Sequence, residues 1–346
     1  MQDIWHYPRT TLAEQVLGLF NSGLSHALTF FAPRRKGKTE FLLKDITPLA
    51  KEQDYQVFYF SFLDNANAQK RFIYELNAFA KGKIAKTLSH LSSIEIQGIK
   101  VEMAQMGNDD LLHALSTLAN QNKPTLLLLD EIQALAGASH YPIIASLRTA
   151  LDTNKDKIKV IFTGSSRENL RLMFSSSTAP FFHYGQNLTF PDLDKAFTDH
   201  LAGVFYHTTK RDLNNDELWQ AFNDMNKSPQ MARALIEKMA LNPLLTLATA
   251  KQELLSDTGA NDVYLSSYQS LTALQQHLLT HIATGQSEPY STTTKEQLSE
   301  LLGLSITTPA IQSAIRSLSN KGLLFRLDNG VYEIDDPFFK DWLLNQ

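Results

Sequence analysis

Three clusters in this sequence carry residues suited to phosphate chemistry. The first is FFAPRRKGKTEF, residues 30–41, which contains Gly37-Lys38-Thr39. An apolar strand pattern, LTFF, precedes it and a helical pattern, KTEFLLKDI, follows. A loop between strand and helix turns backbone N–H groups and the positive helix end toward phosphates. In such a loop Lys38 would reach the β and γ phosphates and the Thr39 hydroxyl would ligate Mg²⁺. Loops of this kind normally begin with glycine, and here Ala32 stands in that place. Alanine can make the same exit from the strand where φ stays negative, whereas Gly37, beside the phosphates, is the glycine the loop needs. The expected ligand is ATP, with Pro33, Arg34, Arg35, Lys36, Gly37, Lys38, Thr39 and Glu40 around it. The side chains of Arg34, Arg35 and Lys36 have a second reading, as solvated cations.

The second cluster is TLLLLDEIQAL. An apolar strand that delivers Asp130 at its C-terminal end puts a carboxylate beside Mg²⁺, and Glu131 then stands where it could polarise an attacking water. The third is VIFTGSSRENLRLMF, which supplies Ser165 or Ser166 at the end of another strand, followed by Arg167. A hydroxyl there could orient the water, and a guanidinium could neutralise charge developing on the γ phosphate. The structural alternative is a helix start, with Ser166 as N-cap and Arg167 in solvent.

These residues need a scaffold that brings strand ends together. Apolar runs at Leu28–Phe31, Val57–Phe62, Thr125–Leu129, Lys159–Thr163 and Gln186–Phe190 are mostly separated by helical patterns, which implies a parallel sheet. TLLLLD and VIFTG are apolar throughout, as expected of central strands covered on both faces. Ligands in open parallel sheets gather at the strands' carboxyl ends. IEIQGIKVEM, residues 94–103, alternates and reads as a small hairpin or edge ribbon. After Pro191 the strand signals stop and three amphipathic helices follow. The remainder reads as helix, helix, turn, helix and a two-stranded wing, with Asp328-Asn329-Gly330 as its turn signal. The flexible connections are expected at 175–178 and 256–267.

The expected fold is therefore α/β: a P-loop NTPase parallel-sheet sandwich over 1–190, a helical lid over 191–262 and a C-terminal winged helix over 263–346. With 346 residues, 43% hydrophobic and 20% charged, the chain has the composition of a soluble globular protein. Its formal charge of −4 gives no reason to expect strong nonspecific attraction to nucleic acid or anionic membrane. There is no cysteine, which excludes thiol catalysis and cysteine-ligated metals. The N-terminal stretch has no signal-peptide character, and a cytoplasmic setting is expected. The histidines show no metal-ligand spacing; His277 and His281 share a helix face without an acidic third ligand.

From Ser266 onward five cations, Lys295, Arg316, Lys321, Arg326 and Lys340, face eight anions, a balance of −3. Neutralised phosphates dominate DNA affinity. The winged helix is thus expected to dock protein, through self-assembly or a partner, with DNA possible but not favoured.

At this point the chain resembles the archaeal-type ATPases of the STAND branch of the AAA+ superfamily. APRRKGKTEFL is similar to that family's Gly-Pro-Arg-Arg-x-Gly-Lys-Thr loop, LLLLDEIQAL to its Asp-Glu box, IFTGSS to its sensor strand and YEIDDPFFKDWL to its C-terminal motif. The resemblance covers nearly the whole chain and implies an ATP-hydrolysing switch with a helical lid and winged helix. It further implies that YPRT, with Pro8 and Arg9, lies on the adenine side. NKSPQMARAL resembles a lid motif whose proline, here Pro229, packs on the base. Pro229 also reads as a helix N1 residue capped by Ser228. The family's glycine two residues earlier is Lys227 here, and Arg233 is a candidate second phosphate sensor.

Overall fold

A computed structural model describes residues 3–63, 67–82, 103, 105–136, 138–165, 170, 173–174, 179–257, 260–286, 288–326, 331–334 and 336–344. The ribbon expected over 94–103 lies outside these except for Met103. Ser166, Arg167, residues 175–178 and Asp328-Asn329-Gly330 also lie outside. The chain forms two compact units, one of Pro8–Ala32 and Lys38–Phe190, the other of Met1–Tyr7, Pro33–Gly37 and Pro191–Gln346.

The first unit is built on a five-stranded sheet of β1 (Ala27–Phe31), β2 (Gln56–Ser61), β3 (Thr125–Asp130), β4 (Ile158–Gly164) and β5 (Gln186–Leu188). The strand order is β2-β3-β4-β1-β5, and every pairing is parallel. Its helices are α1 (Thr10–Asn21), α2 (38–52), α3 (Ala68–Ala80), α4 (Asn108–Ala119) and α5 (Tyr141–Thr153); the middle of α2, Phe41–Ile46, is π-helical. Every residue of β3 and β4 is buried. The two-residue period of a strand divides them between faces. Leu127 and Leu129 join Phe60, Phe162 and the α3–α5 side, while Leu126 and Leu128 join Phe30, Ile161 and Phe41 on the α1–α2 side. Each such leucine, fully buried, contributes roughly 1.5–3 kcal/mol. A continuous apolar run is thus what a strand with two covered faces requires.

In the second unit α6 (Lys195–Thr209), α7 (Asn215–Asp224), α8 (Pro229–Leu241) and α9 (Leu247–Asp257) enclose Phe197, Phe205, Phe222 and Leu235, with Trp5 and Tyr7 packed on them. A further helix, α10 (Ala260–Gln269), carries Tyr264, which touches this core and the next. The last core, around Leu278, Ile311, Leu318 and Phe339, is formed by α11 (Ala273–Ala283), α12 (Thr292–Leu302), α13 (Thr308–Asn320), β6 (Leu324–Arg326), β7 (Tyr332–Ile334) and α14 (Pro337–Leu344). β6 and β7 pair antiparallel as the wing. Local chemistry sets the helix starts: Asp194, Asn214, Ser228, Thr272, Ser291 and Thr307 each accept a backbone N–H as N-caps. Gly303 ends α12 in the left-handed region at φ 63°. Among the described residues no helix is long and apolar enough to cross a membrane.

Candidate nucleotide site

The loop between β1 and α2 starts as the sequence suggests. Ala32 is buried, keeps negative φ and donates its N–H to the Gly164 carbonyl at 3.3 Å, so its methyl group is no obstacle. Gly37 sits at φ 89°, where an L side chain is strained even though nothing lies within 4 Å of its Cβ position. Arg35 is also left-handed, at φ 66°. Substituting Gly37→Ala is expected to add about 1–2 kcal/mol of strain to the loop and to weaken ATP binding accordingly. Ala32→Gly is expected to leave affinity within about twofold, because the site does not use glycine's extra freedom. Isothermal titration of both variants checks the contrast.

Lys38 opens α2 at 5% exposure and its Nζ donates to the Ala32 carbonyl at 2.6 Å. A buried ammonium needs such a partner, and a phosphate would offer it a stronger one. Thr39 follows, and its Oγ1 donates to Asp130 Oδ2 at 2.7 Å. That bond links the start of α2 to the end of β3. Two further hydroxyls converge on Asp130, which is 1% exposed: Tyr59 from β2 donates to Oδ2 at 3.1 Å and Thr163 from β4 donates to Oδ1. Burial, and then the Asp130 carboxylate, push the Tyr59 phenol well above its ordinary range, so it remains a donor.

A hydroxyl and a carboxylate in contact are the oxygen pair Mg²⁺ takes from a protein when phosphates and waters supply the rest of its shell. Among the described residues no three of His, Cys, Asp or Glu gather into a metal cage. The donor set therefore fits a nucleotide-borne Mg²⁺ at Thr39 and Asp130.

Glu131, the next residue, has left-handed backbone at φ 55°, ψ 43° and is 8% exposed. A non-glycine residue held there stores roughly 1–3 kcal/mol, a pattern found at functional sites. Ser165 Oγ donates to Glu131 Oε2 at 2.8 Å, and Gln133 Nε2 donates to the same oxygen. Ser165 thus spends its proton on Glu131. Gln133, Tyr59 and Thr163 were not singled out by sequence. The first and last lie inside the motif stretches as DEIQ and FTGS, and only the folded arrangement shows that they matter.

The other expected residues have specific surroundings. Arg9 donates its backbone N–H to Asp45 Oδ1 at 3.2 Å, and its guanidinium lies 4.4 Å from the Phe190 ring centre. In the second unit Lys36 is not a solvated cation: its Nζ donates to Asp192 Oδ1 at 2.7 Å and to the Asn226 carbonyl at 2.8 Å. Arg34 is exposed, and Arg35 Nη1 lies 3.7 Å from Asp336 Oδ1. Tyr264 donates to the other oxygen of Asp336 at 2.8 Å. Pro229 is buried at N1 of α8, with Ser228 as N-cap. Asn226 and Lys227 both have positive φ, 52° and 49°, so the chain makes the turn that glycine would favour without having glycine there. Arg233 Nη2 donates to the Trp5 carbonyl at 2.7 Å.

Residues 262–345 match a family model described as "Probable winged helix domain". No curated protein matches the chain in sequence. Among solved structures the chain is similar to a Walker-type ATPase of Pyrococcus abyssi, at 17% identity and TM-score 0.71, covering 99% of this chain and 100% of that one. It is also similar to the ORC2 protein of Aeropyrum pernix in ADPNP–ADP complexes, at 15% identity and TM-score 0.57, covering 97% and 90%. At these identities the likeness is one of fold. The chain has the parallel-sheet α/β fold of P-loop ATPases, with a winged-helix domain at 262–345.

Proposed function

We propose that the protein is a Mg²⁺-dependent ATPase of the AAA+ class, in its STAND branch, that couples nucleotide state to its winged helix. The observation that carries this is that Thr39, at the start of α2, bonds Asp130 at the end of β3, while the adjacent Glu131 is bonded by Ser165 just past the end of β4. In this reading the 33–39 backbone and Lys38 hold the phosphates, with Glu40, Pro8, Arg9 and Pro229 completing the nucleotide's surroundings. Thr39 and Asp130 would hold Mg²⁺, which neutralises charge on the β and γ phosphates. Glu131 takes a proton from the attacking water, and Arg167 meets charge developing on the γ phosphate. Solved relatives of this fold support nucleotide chemistry, since one is a Walker-type ATPase and the other carried ADPNP and ADP. The reading places it in the cytoplasm, with which the cysteine-free composition is compatible.

Coupling to the winged helix is supported within the second unit. Pro33–Lys36 of the loop, Asn226 and Ser228 ahead of α8, and Tyr264 and Asp336 of the C-terminal part line one cavity of about 220 Å³. The Arg35–Asp336 contact makes the phosphate loop and the winged helix neighbours, so a change in one alters the surroundings of the other. A protein partner or a second copy suits its −3 charge better than DNA.

The test is ATP hydrolysis, nucleotide binding and limited proteolysis of 262–345 with and without nucleotide. Lys38→Ala is expected to lower ATP affinity by about 10²-fold or more, because a buried charge-assisted contact is lost. Unchanged affinity in that variant would sink the reading. A second reading, a nucleotide-gated binding module, follows from the anchored contacts of Lys36 and Arg35 with Asp192 and Asp336. Nucleotide-dependent proteolysis with negligible turnover would select it.

A further inference from the structure

Among the described residues Glu131 is held through one carboxylate oxygen. Ser165 and Gln133 both donate to Oε2, and among the described residues Oε1 has no hydrogen-bonding partner. A general base needs this division of labour, with one oxygen fixed and the other left to accept a proton. Gln133 Nε2 also lies 3.2 Å from Ser165 Oγ, which closes a triangle of Glu131, Gln133 and Ser165. The amide orientation follows from chemistry, because its oxygen turned toward the carboxylate would repel it.

Gln133 is a poor choice on stability grounds alone. Its Oε1 is buried without a hydrogen-bond partner among the described residues, and a buried unpaired acceptor is destabilising. The fold also makes room for it. A Cβ on Gly164 would stand 2.4 Å from Gln133 Oε1 and 2.6 Å from Leu170 Cδ1, so any larger residue there would push the amide aside. The amide rides on a short 3-10 turn, Ile132–Leu135, whose two ends are buried, and this turn directly follows the strained Glu131. A fixed turn, an accommodating glycine and an unpaired oxygen are together accounted for by the work of the NH₂ group.

We infer that Gln133 is a positioning residue that, with Ser165, aims the Glu131 carboxylate for proton abstraction. The inference rests on the ATP-hydrolysing reading above. It assigns to Gln133 no contact with ATP and no proton transfer of its own.

The test uses the full chain carrying Gln133→Leu, which keeps the side-chain bulk and removes both polar atoms. A base left free to swing loses alignment, so kcat is expected to fall about 10–100-fold with KM within about twofold of wild type. Thermal stability should be unchanged or raised, since the unpaired acceptor goes as well. A double-mutant cycle supplies the readout that a structural defect would not give. In a Glu131→Gln background Gln133→Leu should reduce turnover no further, because no base remains to be aimed. Wild-type kcat in Gln133→Leu, a loss confined to KM, or the full loss persisting in the double mutant would each overturn the inference. In all three cases the hydrolytic reading would stand. Absence of turnover in the wild type would overturn both and is seen before any variant is compared.

Discussion

Glu131→Gln is expected to abolish most ATP turnover and to leave nucleotide affinity near that of wild type. The expected loss in kcat is about 10²–10⁴-fold, the range for removing a positioned general base, equivalent to roughly 2.7–5.4 kcal/mol of barrier. The substitution is close to isosteric, and an amide oxygen can still accept from Ser165, so the packing around this 8% exposed residue is retained. What disappears is the capacity of the second oxygen to take a proton. Steady-state hydrolysis beside binding of a labelled nucleotide separates the two effects. Undiminished turnover in this variant would remove Glu131 from the chemistry and leave the site as a binding pocket.

The second large effect is expected at Asp130, where a structural role and the proposed metal role coincide. Asp130→Ala takes the acceptor from Thr39, Tyr59 and Thr163 together. Each buried donor left without a partner costs about 1–3 kcal/mol, and Thr163 and Tyr59 are the deeper two, so a loss of about 2–5 kcal/mol in denaturant unfolding is expected. Asp130→Asn keeps an acceptor oxygen, and the hydroxyls can rotate to meet its NH₂, so most of that stability should return. The Mg²⁺ dependence of ATP binding should be lost in both, because an amide is a weak ligand for a hard dication. Equal Mg²⁺ dependence in Asp130→Asn and wild type would confine Asp130 to a structural role.

Some of this protein was readable from residue order alone, and the reasons are local. Gly37 and Ala32 could be told apart because φ at each position follows from its place in the loop, and the backbone agrees. The central strands β3 and β4 were legible because an apolar run without alternation suits a strand covered on both faces. The α8 start at Ser228-Pro229 was legible because capping is a matter of neighbouring atoms. The Asp-Glu pair announced itself by standing at the end of such a strand.

What the sequence could not state is which side chains meet across strands. Periodicity assigns a residue to a face of the sheet; the strand order β2-β3-β4-β1-β5 and its register decide its neighbours. Tyr59, Thr39 and Thr163 come to Asp130 from sites 71, 91 and 33 residues away, and no spacing rule connects them. The side chain of Lys36, which could be read as a solvated cation, binds Asp192, 156 residues on. Gln133 lay in plain view inside a recognised motif, yet its task depends on Ser165 and on the space left by Gly164. The residues able to do chemistry were thus set by local sequence. The arrangement that holds Asp130 and Glu131 ready was set by tertiary contacts, because hydrogen bonds between distant segments form only once parallel pairing has fixed which strand ends are adjacent.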